Sequence, residues 1–236
     1  MRKIIFSVIA ALVLTSPLFA QDAGGGSAAP ASIKPHGTEL VLKLEVAPSA
    51  KLHLDQDTGL TTPGTGPGLG GPYPNPGFDN RTQSANNVGI YAAGEVYYYI
   101  LGFLGLGGGI KHQFDRTIDN FGEISITNFY VSIKPKLTLP ADWGIDYAYG
   151  LLQCGYGMFN NVYNVSDPAT GPIATSTSGG MYYAAGIGCE FSNFIFEVLF
   201  CSNDSKITAS DSSAPFSSLK ATYTSTNINV GYRFTL

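Results

Sequence analysis

Residues 38–47 read TELVLKLEVA, and two kinds of side chain alternate along this stretch. The even-numbered positions from 40 to 46 are all Leu or Val, whereas the odd-numbered positions include Lys43 and Glu45. A period of two is that of a β-strand, whose successive side chains point to opposite faces. The stretch therefore predicts a strand with one apolar face and one polar face.

Further strands and their connections predict a barrel. In addition to the strand that starts at Thr38, seven strands are predicted, at residues 88–100, 103–114, 124–139, 144–158, 180–191, 194–202 and 222–236. Long loops, at 55–87, 115–123, 159–179 and 203–220, alternate with tight turns at 101–103, 140–143 and 192–193. Outer-membrane barrels have this alternation and an even number of strands, eight being the smallest typical number. The sequence therefore predicts an all-β fold, an eight-stranded antiparallel up-and-down transmembrane β-barrel over residues 38–236.

The charged residues of the strands test this assignment. They fall in the phase opposite to the apolar side chains and are Lys43, Glu45, Glu95, Lys111, Lys134, Lys136, Glu190, Glu197 and Arg233. A Lys or Arg that faces lipid at mid-membrane costs about 2–4 kcal/mol. We therefore expect the apolar phase to face lipid and these charges to form a network in the lumen. Side chains nearly fill a barrel this narrow, so we expect an ion-paired lumen that is closed, not an open pore.

Some strand positions conflict with this pattern. Pro48 and Pro135 fall inside predicted strands, where proline lacks the N–H that a ladder needs, so we expect bulges or strand ends there. In the fifth strand Asp146 and Gln153 occupy opposite phases, and its inward face is left unassigned.

The N-terminus has the pattern of a secretory signal peptide. Arg2 and Lys3 precede the apolar run 4–14, which ends in small residues suited to cleavage after Ala20. A membrane-spanning helix needs about 20 apolar residues, more than this run has. We assign residues 1–20 to the signal peptide and the Gly- and Pro-rich residues 21–37 to a flexible periplasmic lead-in. The expected location is the bacterial outer membrane, with both termini periplasmic and the long loops extracellular.

The C-terminal strand carries a family resemblance. The chain ends INVGYRFTL at 228–236, in which Tyr232, Phe234 and Leu236 share one phase. This pattern resembles the C-terminal assembly signal of outer-membrane barrels, and VGYRF resembles the closing residues of the OmpA/OmpX-type, porin-like family. The chain departs from the family by adding Thr235 and Leu236 after the last aromatic residue. The resemblance implies an integral protein of a Gram-negative outer membrane, surrounded by its lipid and inserted by the barrel assembly machinery.

Catalytic, metal and cofactor sites are not expected. Some eight-stranded barrels modify lipids with a His and a Ser on one strand face, but no Ser lies two residues after His36, His53 or His112. Asp55 and Asp57 begin a stretch that resembles a calcium loop, but the later ligands are missing and a turn explains these residues equally well. The sequence therefore predicts a protein that is not an enzyme and has no metal or cofactor.

Charge and cysteine content limit the possible partners. The net charge is −4, whereas nucleic-acid binding requires a basic face, so we expect no nucleic-acid partner. The outer loops carry nine acidic residues and four basic ones, among them Arg116, which predicts an acidic rim. Cys154, Cys189 and Cys201 are predicted to lie too far apart for a disulfide and to remain free thiols.

Three functions remain open from the sequence. The first is a structural, adhesion or surface-interaction role carried by the extracellular loops, whose ligand the sequence does not identify. The second is a narrow channel or transporter for small hydrophobic molecules. The third is a soluble lipocalin-type barrel, which would place its apolar side chains inside and its charges outside, the reverse of the pattern in this chain.

Overall fold

A computed structural model of the chain describes residues 37–56, 81–85, 87–100, 102–118, 122–160, 165–167, 171–173, 175–209 and 218–236. The predicted signal peptide and all but the last residue of the lead-in lie outside these ranges. The strands are β1 (Thr38–Gln56), β2 (Arg81–Ser84), β3 (Gly89–Tyr99), β4 (Leu104–Ile118), β5 (Gly122–Thr138), β6 (Tyr147–Asn160), β7 (Val165–Asp167), β8 (Gly171–Ile173), β9 (Thr175–Ser178), β10 (Gly180–Phe191), β11 (Phe194–Ala209) and β12 (Ser218–Thr235). No helix of the described residues has the length and apolar content needed to cross a membrane.

Eight long strands form a closed antiparallel barrel. Their order is β10-β6-β5-β4-β3-β1-β12-β11, and pairing between β10 and β11 closes the ring. Apart from the pairing of the first strand with the last, every neighbour in the ring is also the next long strand in the sequence, which is the up-and-down topology. This confirms the predicted fold class and strand count.

The short turns gather at one end of the barrel, here called the turn end, and the long connections at the other, the loop end. At the turn end Ser192 adopts a φ of 55°, which the tight turn between β10 and β11 requires. Phe191 and Phe194 pair across this turn and both point outward.

The strands extend further toward the loop end than the sequence predicts. Residues 115–118, 203–209 and 218–220 were expected in loops, but they continue β4, β11 and β12. Here β2 pairs with β1 in place of β3, and β9 pairs with β11 in place of β10. The strands were predicted from runs of outward apolar side chains. Because the outward side chains of this region are polar, the predicted strands end too early.

Two β-bulges mark the level at which the strands change character. The register of β1 shifts between Val46 and Ser49, as expected at Pro48, and that of β4 shifts between Gln113 and Arg116. A bulge adds one residue to a strand and so exchanges the two phases beyond it. Pro135 lies instead in the final pair of the β4–β5 ladder, where a missing N–H is tolerated.

The exterior and interior exchange polarity at the level of the bulges. On the turn-end side the exterior carries the apolar belt, which includes Leu42, Leu44, Val46, Ile90, Val96, Leu106, Ile110, Phe129, Val131, Ile133, Ile187, Phe196, Val198, Phe200, Ile228 and Val230. Beyond the bulges lies the collar, whose exterior is polar and includes Lys51, His53, Asp55, Thr82, Ser84, Glu123, Asp204, Lys206, Lys220, Thr222 and Thr224. The collar interior is filled by the apolar plug, made of Ala50, Leu52, Leu54, Ile118, Ile124, Ile126, Phe159, Ile207, Leu219, Ala221 and Tyr223.

The collar therefore has the polarity of a water-soluble barrel, and the belt has that of a barrel in lipid. Strand length agrees with two environments, because β1 has 19 residues whereas about 9–11 tilted residues span a membrane. Phe159, which was expected to begin a long loop, instead packs in the plug, because the inward phase of β6 includes it.

The inward phase of β6 is also resolved. Its odd-numbered residues face the lumen, and Gln153 is buried among them. Asp146 precedes the strand and accepts a hydrogen bond from the backbone N–H of Ser192 at 2.6 Å, so it does not belong to the alternation.

The β1 bulge gives a prediction about single-residue deletions. Pro48 and Ser49 are two consecutive outward residues, so deleting Pro48 produces a regular strand that still points Leu52 inward. Deleting Thr224 from the regular strand β12 turns Tyr223 outward. We expect the Pro48 deletion to retain heat-modifiable migration in gels and the Thr224 deletion to lose it. Equal loss in both variants would contradict the assigned register.

Candidate functional site

The lumen inside the apolar belt contains the charged side chains predicted from the sequence. Alternation along each strand places Lys43, Glu45, Glu95, Lys111, Lys134, Glu190, Glu197 and Arg233 in the barrel interior. Seven of them are buried, and Arg233 is half-buried at the turn end. They form three clusters, which we describe from the turn end upward.

The first cluster lies at the turn end and centres on Glu190. Its carboxylate pairs with Lys134 at 2.8 Å, Lys136 at 2.9 Å and Arg233 at 2.5 Å. Glu39 pairs with the latter two cations, at 3.0 Å from Lys136 and 3.3 Å from Arg233. Three cations and two carboxylates from four different strands thus cross-link the barrel floor.

The second cluster centres on Lys43. Its ammonium group lies 2.5 Å from Glu95 and 2.8 Å from Glu197. Tyr149 and Asn229 donate further hydrogen bonds to Glu197, at 2.8 and 3.0 Å. A buried ion pair is stable only when its remaining polar atoms also find partners, and these donors supply them.

Tyrosines and an amide surround the other carboxylate of this cluster. The hydroxyls of Tyr97 and Tyr130 donate to Glu95 at 3.0 and 2.7 Å, and Gln153 donates to it at 2.9 Å. Tyr182 in turn donates to the amide oxygen of Gln153 at 2.7 Å. The aromatic rings fill the space between the charges, so the cluster extends across the lumen.

The third cluster lies next to the collar. Lys111 pairs with Glu45 at 3.3 Å, and Asn227 donates to the same carboxylate at 2.9 Å. The Lys111 ammonium group also lies 5.0 Å from the centre of the Tyr182 ring and 3.4 Å from the Cys201 sulfur. Like the other two clusters, it contains groups from several strands, and its carboxylate, that of Glu45, is paired with a cation.

Glycines of β4 make room for the tyrosines. Gly105, Gly107 and Gly109 all face the lumen, where a Cβ atom added to Gly107 would lie 2.6 Å from the ring of Tyr97. Similarly, a Cβ atom on Gly105 would lie 2.8 Å from the ring of Tyr99. A signal of this packing is present in the sequence, because alternate glycines at 105–109 follow a run of tyrosines at 97–99.

Arg116 is an interior residue that sequence reasoning missed. It was counted among the bases of the outer loops, but the β4 bulge turns it inward, where it is fully buried. Its guanidinium donates to the Tyr223 hydroxyl at 3.1 Å, and no carboxylate of the described residues forms an ion pair with it. The sequence did not reveal this position because the bulge reverses the phase just before it.

Asp55 and His112, two further residues considered from the sequence, lie on the exterior. Asp55 is half-exposed near the end of β1, 3.1 Å from His53, and Asp57 lies outside the described residues. Within the described ranges no group of three or more His, Cys, Asp or Glu is arranged to hold a metal ion. His112 contacts Thr127 at 2.9 Å, beside the Phe114 ring.

The cysteines and the C-terminal residues occupy separate positions. Cys154 is exposed, Cys189 half-buried and Cys201 buried, and all three are free thiols. Tyr232, Phe234 and Leu236 are exposed on the exterior of the last strand, where the Tyr232 ring packs against Phe194 and Phe234. Recognition of these C-terminal residues during assembly stays a prediction.

The second cluster predicts that replacing Lys43 of β1 destabilises the protein far more than replacing Lys51 of the same strand. Replacing Lys43 by Met leaves Glu95 and Glu197 without their cation, and breaking a buried pair in this way costs about 3–5 kcal/mol. Replacing the exposed collar residue Lys51 by Met should change stability by less than about 0.5 kcal/mol. Urea unfolding of each variant, folded in lipid vesicles, measures the two changes in the free energy of unfolding. Similar losses for the two variants would contradict the buried network.

Comparisons with known proteins address the fold. No protein-family model matches the chain, and no curated protein matches it in sequence. Outer membrane protein OprG from Pseudomonas aeruginosa matches in structure with a TM-score of 0.50 and 11% identity, over 84% of this chain and 96% of that one. Outer membrane protein AlkL, solved in DMPC bilayers, matches with a TM-score of 0.49 and 12% identity, over 92% of this chain and 97% of that one.

A third similar structure is Ail, the attachment invasion locus protein of Yersinia pestis, in complex with the heparin analogue sucrose octasulfate. It has a TM-score of 0.38 and 14% identity, over 84% of this chain and 99% of that one. Membership of the OmpA/OmpX-type family stays a prediction. The match to OprG and the closed ring of strands show that this chain has the fold of an outer-membrane β-barrel.

Proposed function

We propose that the chain is an integral protein of the bacterial outer membrane that is closed to solutes and presents its collar and loops at the cell surface. In this proposal both termini lie in the periplasm and the loop end is extracellular. The protein is not an enzyme, and its role is structural or adhesive. The observation that carries the proposal is the ion-paired and tyrosine-filled lumen.

The apolar belt supports residence in a lipid membrane. Large apolar side chains such as Leu44, Val131, Ile187 and Phe200 are exposed around the exterior, and water would make that exposure unfavourable. Within the belt, these strands place their charged groups on the opposite face, inside the barrel. In this proposal the partners are the lipid around the belt and, during insertion, the barrel assembly machinery.

The interior supports a closed barrel. Five cations and five carboxylates form the three clusters, so the network is balanced in charge. An ion that passed through would have to separate these pairs in a region without bulk water, where charge interactions are strong. Above the network, the plug fills the collar with buried aliphatic side chains.

The collar supports a role at the cell surface. Its strands continue the barrel beyond the belt, and its own apolar interior makes this extension a packed structure. The outward Thr, Ser, Asp and Lys side chains give it a hydrated exterior. A rigid collar would hold the connecting loops away from the membrane surface, where a partner can reach them.

The apolar plug favours a second candidate, a carrier for small hydrophobic molecules. A hydrophobic solute would enter the collar from the loop end, but the charged clusters lie between the plug and the turn end. Its exit would therefore be sideways into the membrane. Uptake of a hydrophobic dye into vesicles that contain the protein, faster than into protein-free vesicles, would favour this candidate over the first.

Conductance in planar bilayers tests the closed lumen. We expect the unmodified protein to give no stable conductance steps, because the clusters and rings fill its cross-section. Replacing Tyr97, Tyr130 and Tyr182 together by Ala removes three buried rings and should produce steps, which makes this variant the positive control. Stable steps from the unmodified protein would contradict the proposal.

A further inference from the structure

A layer of polar side chains separates the charged clusters from the apolar plug. We call it the amide layer. Its members are Gln113, Arg116, Asn128 and Asn203, and each of them is at most 3% exposed. These residues come from β4, β5 and β11 and point into the same cross-section of the barrel. The layer is therefore the boundary at which the interior changes from charged to apolar.

The members of the layer face a common space. A Cβ atom added to Gly157 would lie 2.6 Å from the amide oxygens of both Asn128 and Asn203, so these two amides converge over that glycine. Gly89 similarly leaves room for Arg116, whose terminal nitrogen would lie 2.9 Å from an added Cβ atom there. Larger side chains at these two glycines would displace the polar groups.

The hydrogen-bonding capacity of the layer is largely unused. Among the described residues, no hydrogen-bond partner is found for both polar atoms of Gln113, both of Asn128, the amide oxygen of Asn203, and the Nε and Nη2 atoms of Arg116. Buried polar groups in proteins almost always have partners, and each exception calls for an explanation. These exceptions lie together and include both donors and acceptors.

Arg116 also brings a positive charge into the interior that no carboxylate of the described residues compensates. The other five interior cations each pair with a carboxylate or with two. In the part of the chain that the structure describes, the Arg116 side chain has only the neutral Tyr223 hydroxyl as a partner, and this hydroxyl lies 3.4 Å from the Tyr91 hydroxyl. A guanidinium prefers a planar, bidentate partner such as a carboxylate, and its Nε and Nη2 atoms are the pair that such a partner would use.

The surroundings of Arg116 determine what kind of anion would fit. Across the β4–β5 ladder it pairs with Ile124, and Gln113 pairs with Ile126, so the layer is in direct contact with the plug. A molecule that reaches the layer from the loop end would lie among aliphatic side chains. An apolar tail is therefore required of the ligand as well as a negative charge.

We propose that the amide layer binds the carboxylate of an amphipathic molecule, with its charge on Arg116 and its aliphatic tail among the side chains of the plug. Arg116 donates two hydrogen bonds to the carboxylate from Nε and Nη2. The amides of Gln113 and Asn128 hydrogen-bond to the same head group. Leu52 and Ile124 contact the tail after the plug side chains rearrange around it.

Calorimetric titration with octanoate tests the proposal on the full-length mature protein in phosphatidylcholine nanodiscs. We expect saturable binding of one octanoate per barrel, beyond the signal of empty nanodiscs. Acetate lacks the tail and octan-1-ol lacks the charge, and both should bind at least about tenfold more weakly. Equal binding of acetate, or a signal no larger than that of empty nanodiscs, would overturn the proposal.

Variants of the cation provide the matched control. Arg116→Met should weaken octanoate binding by at least about tenfold, because it removes a charge-assisted hydrogen bond, whereas Lys220→Met on the collar exterior should leave it unchanged. Ile124→Glu places a carboxylate directly across from Arg116 and should block octanoate while the barrel still folds. Octanoate binding that survives both Arg116→Met and Ile124→Glu would overturn the assignment.

Stability separates a ligand site from a merely structural arginine. Without octanoate, Arg116→Met should unfold at no lower urea concentration than the unmodified protein, because it removes an unpaired buried charge. Octanoate should raise the unfolding midpoint of the unmodified protein and not that of Arg116→Met. A large loss of stability in Arg116→Met, or failure of both this variant and Ile124→Glu to fold, would make Arg116 a structural residue. The conductance experiment is independent of these outcomes.

Discussion

The structure depends on one constraint: in a closed barrel, each strand residue faces either the exterior or the lumen, and neighbours along the strand face opposite ways. The constraint is strict because a slip of one residue exchanges the two faces of the whole strand. In the belt, this alternation keeps apolar groups outside and charges inside. Among the described residues, the β1–β12 and β4–β5 ladders each contain one shift of register, at the bulges of β1 and β4. The polarity of the exterior and of the interior changes at the level of these bulges.

This exchange of polarity between exterior and interior, here called the inversion, explains why the barrel has two different interiors. In the belt the exterior takes the large apolar side chains, and the lumen holds the charged groups among tyrosines and a few aliphatic residues such as Leu199. These charged groups are stable only when they pair. In the collar the exterior is polar, and the interior can be an ordinary hydrophobic core. Such a core stabilises the collar without help from the membrane. The amide layer lies where the two interiors meet, and Arg116 is the interior cation that neither of them neutralises.

Much of the fold followed from the sequence, because period-two alternation is a local signal. The eight long strands, the turn at 192–193 and the inward phase of Lys43 and Glu197 all depend on that signal. The collar did not follow from it, because outward polar residues such as Asp204 have the composition of a loop. Arg116 was missed because the β4 bulge contains no proline like the one that indicated the bulge at Pro48. The pairing of charges was not predicted because it depends on strand register across the barrel.

Solvent accessibility along β1 tests the inversion most directly. Single cysteines at Leu44, Val46, Lys51 and His53, in a protein whose native cysteines are replaced by Ser, would carry spin labels in phospholipid vesicles. Relaxation by oxygen reports lipid, and relaxation by a water-soluble nickel complex reports water. We expect oxygen to dominate at Leu44 and Val46 and nickel to dominate at Lys51 and His53. Labels at all four positions that report the same environment would contradict the account.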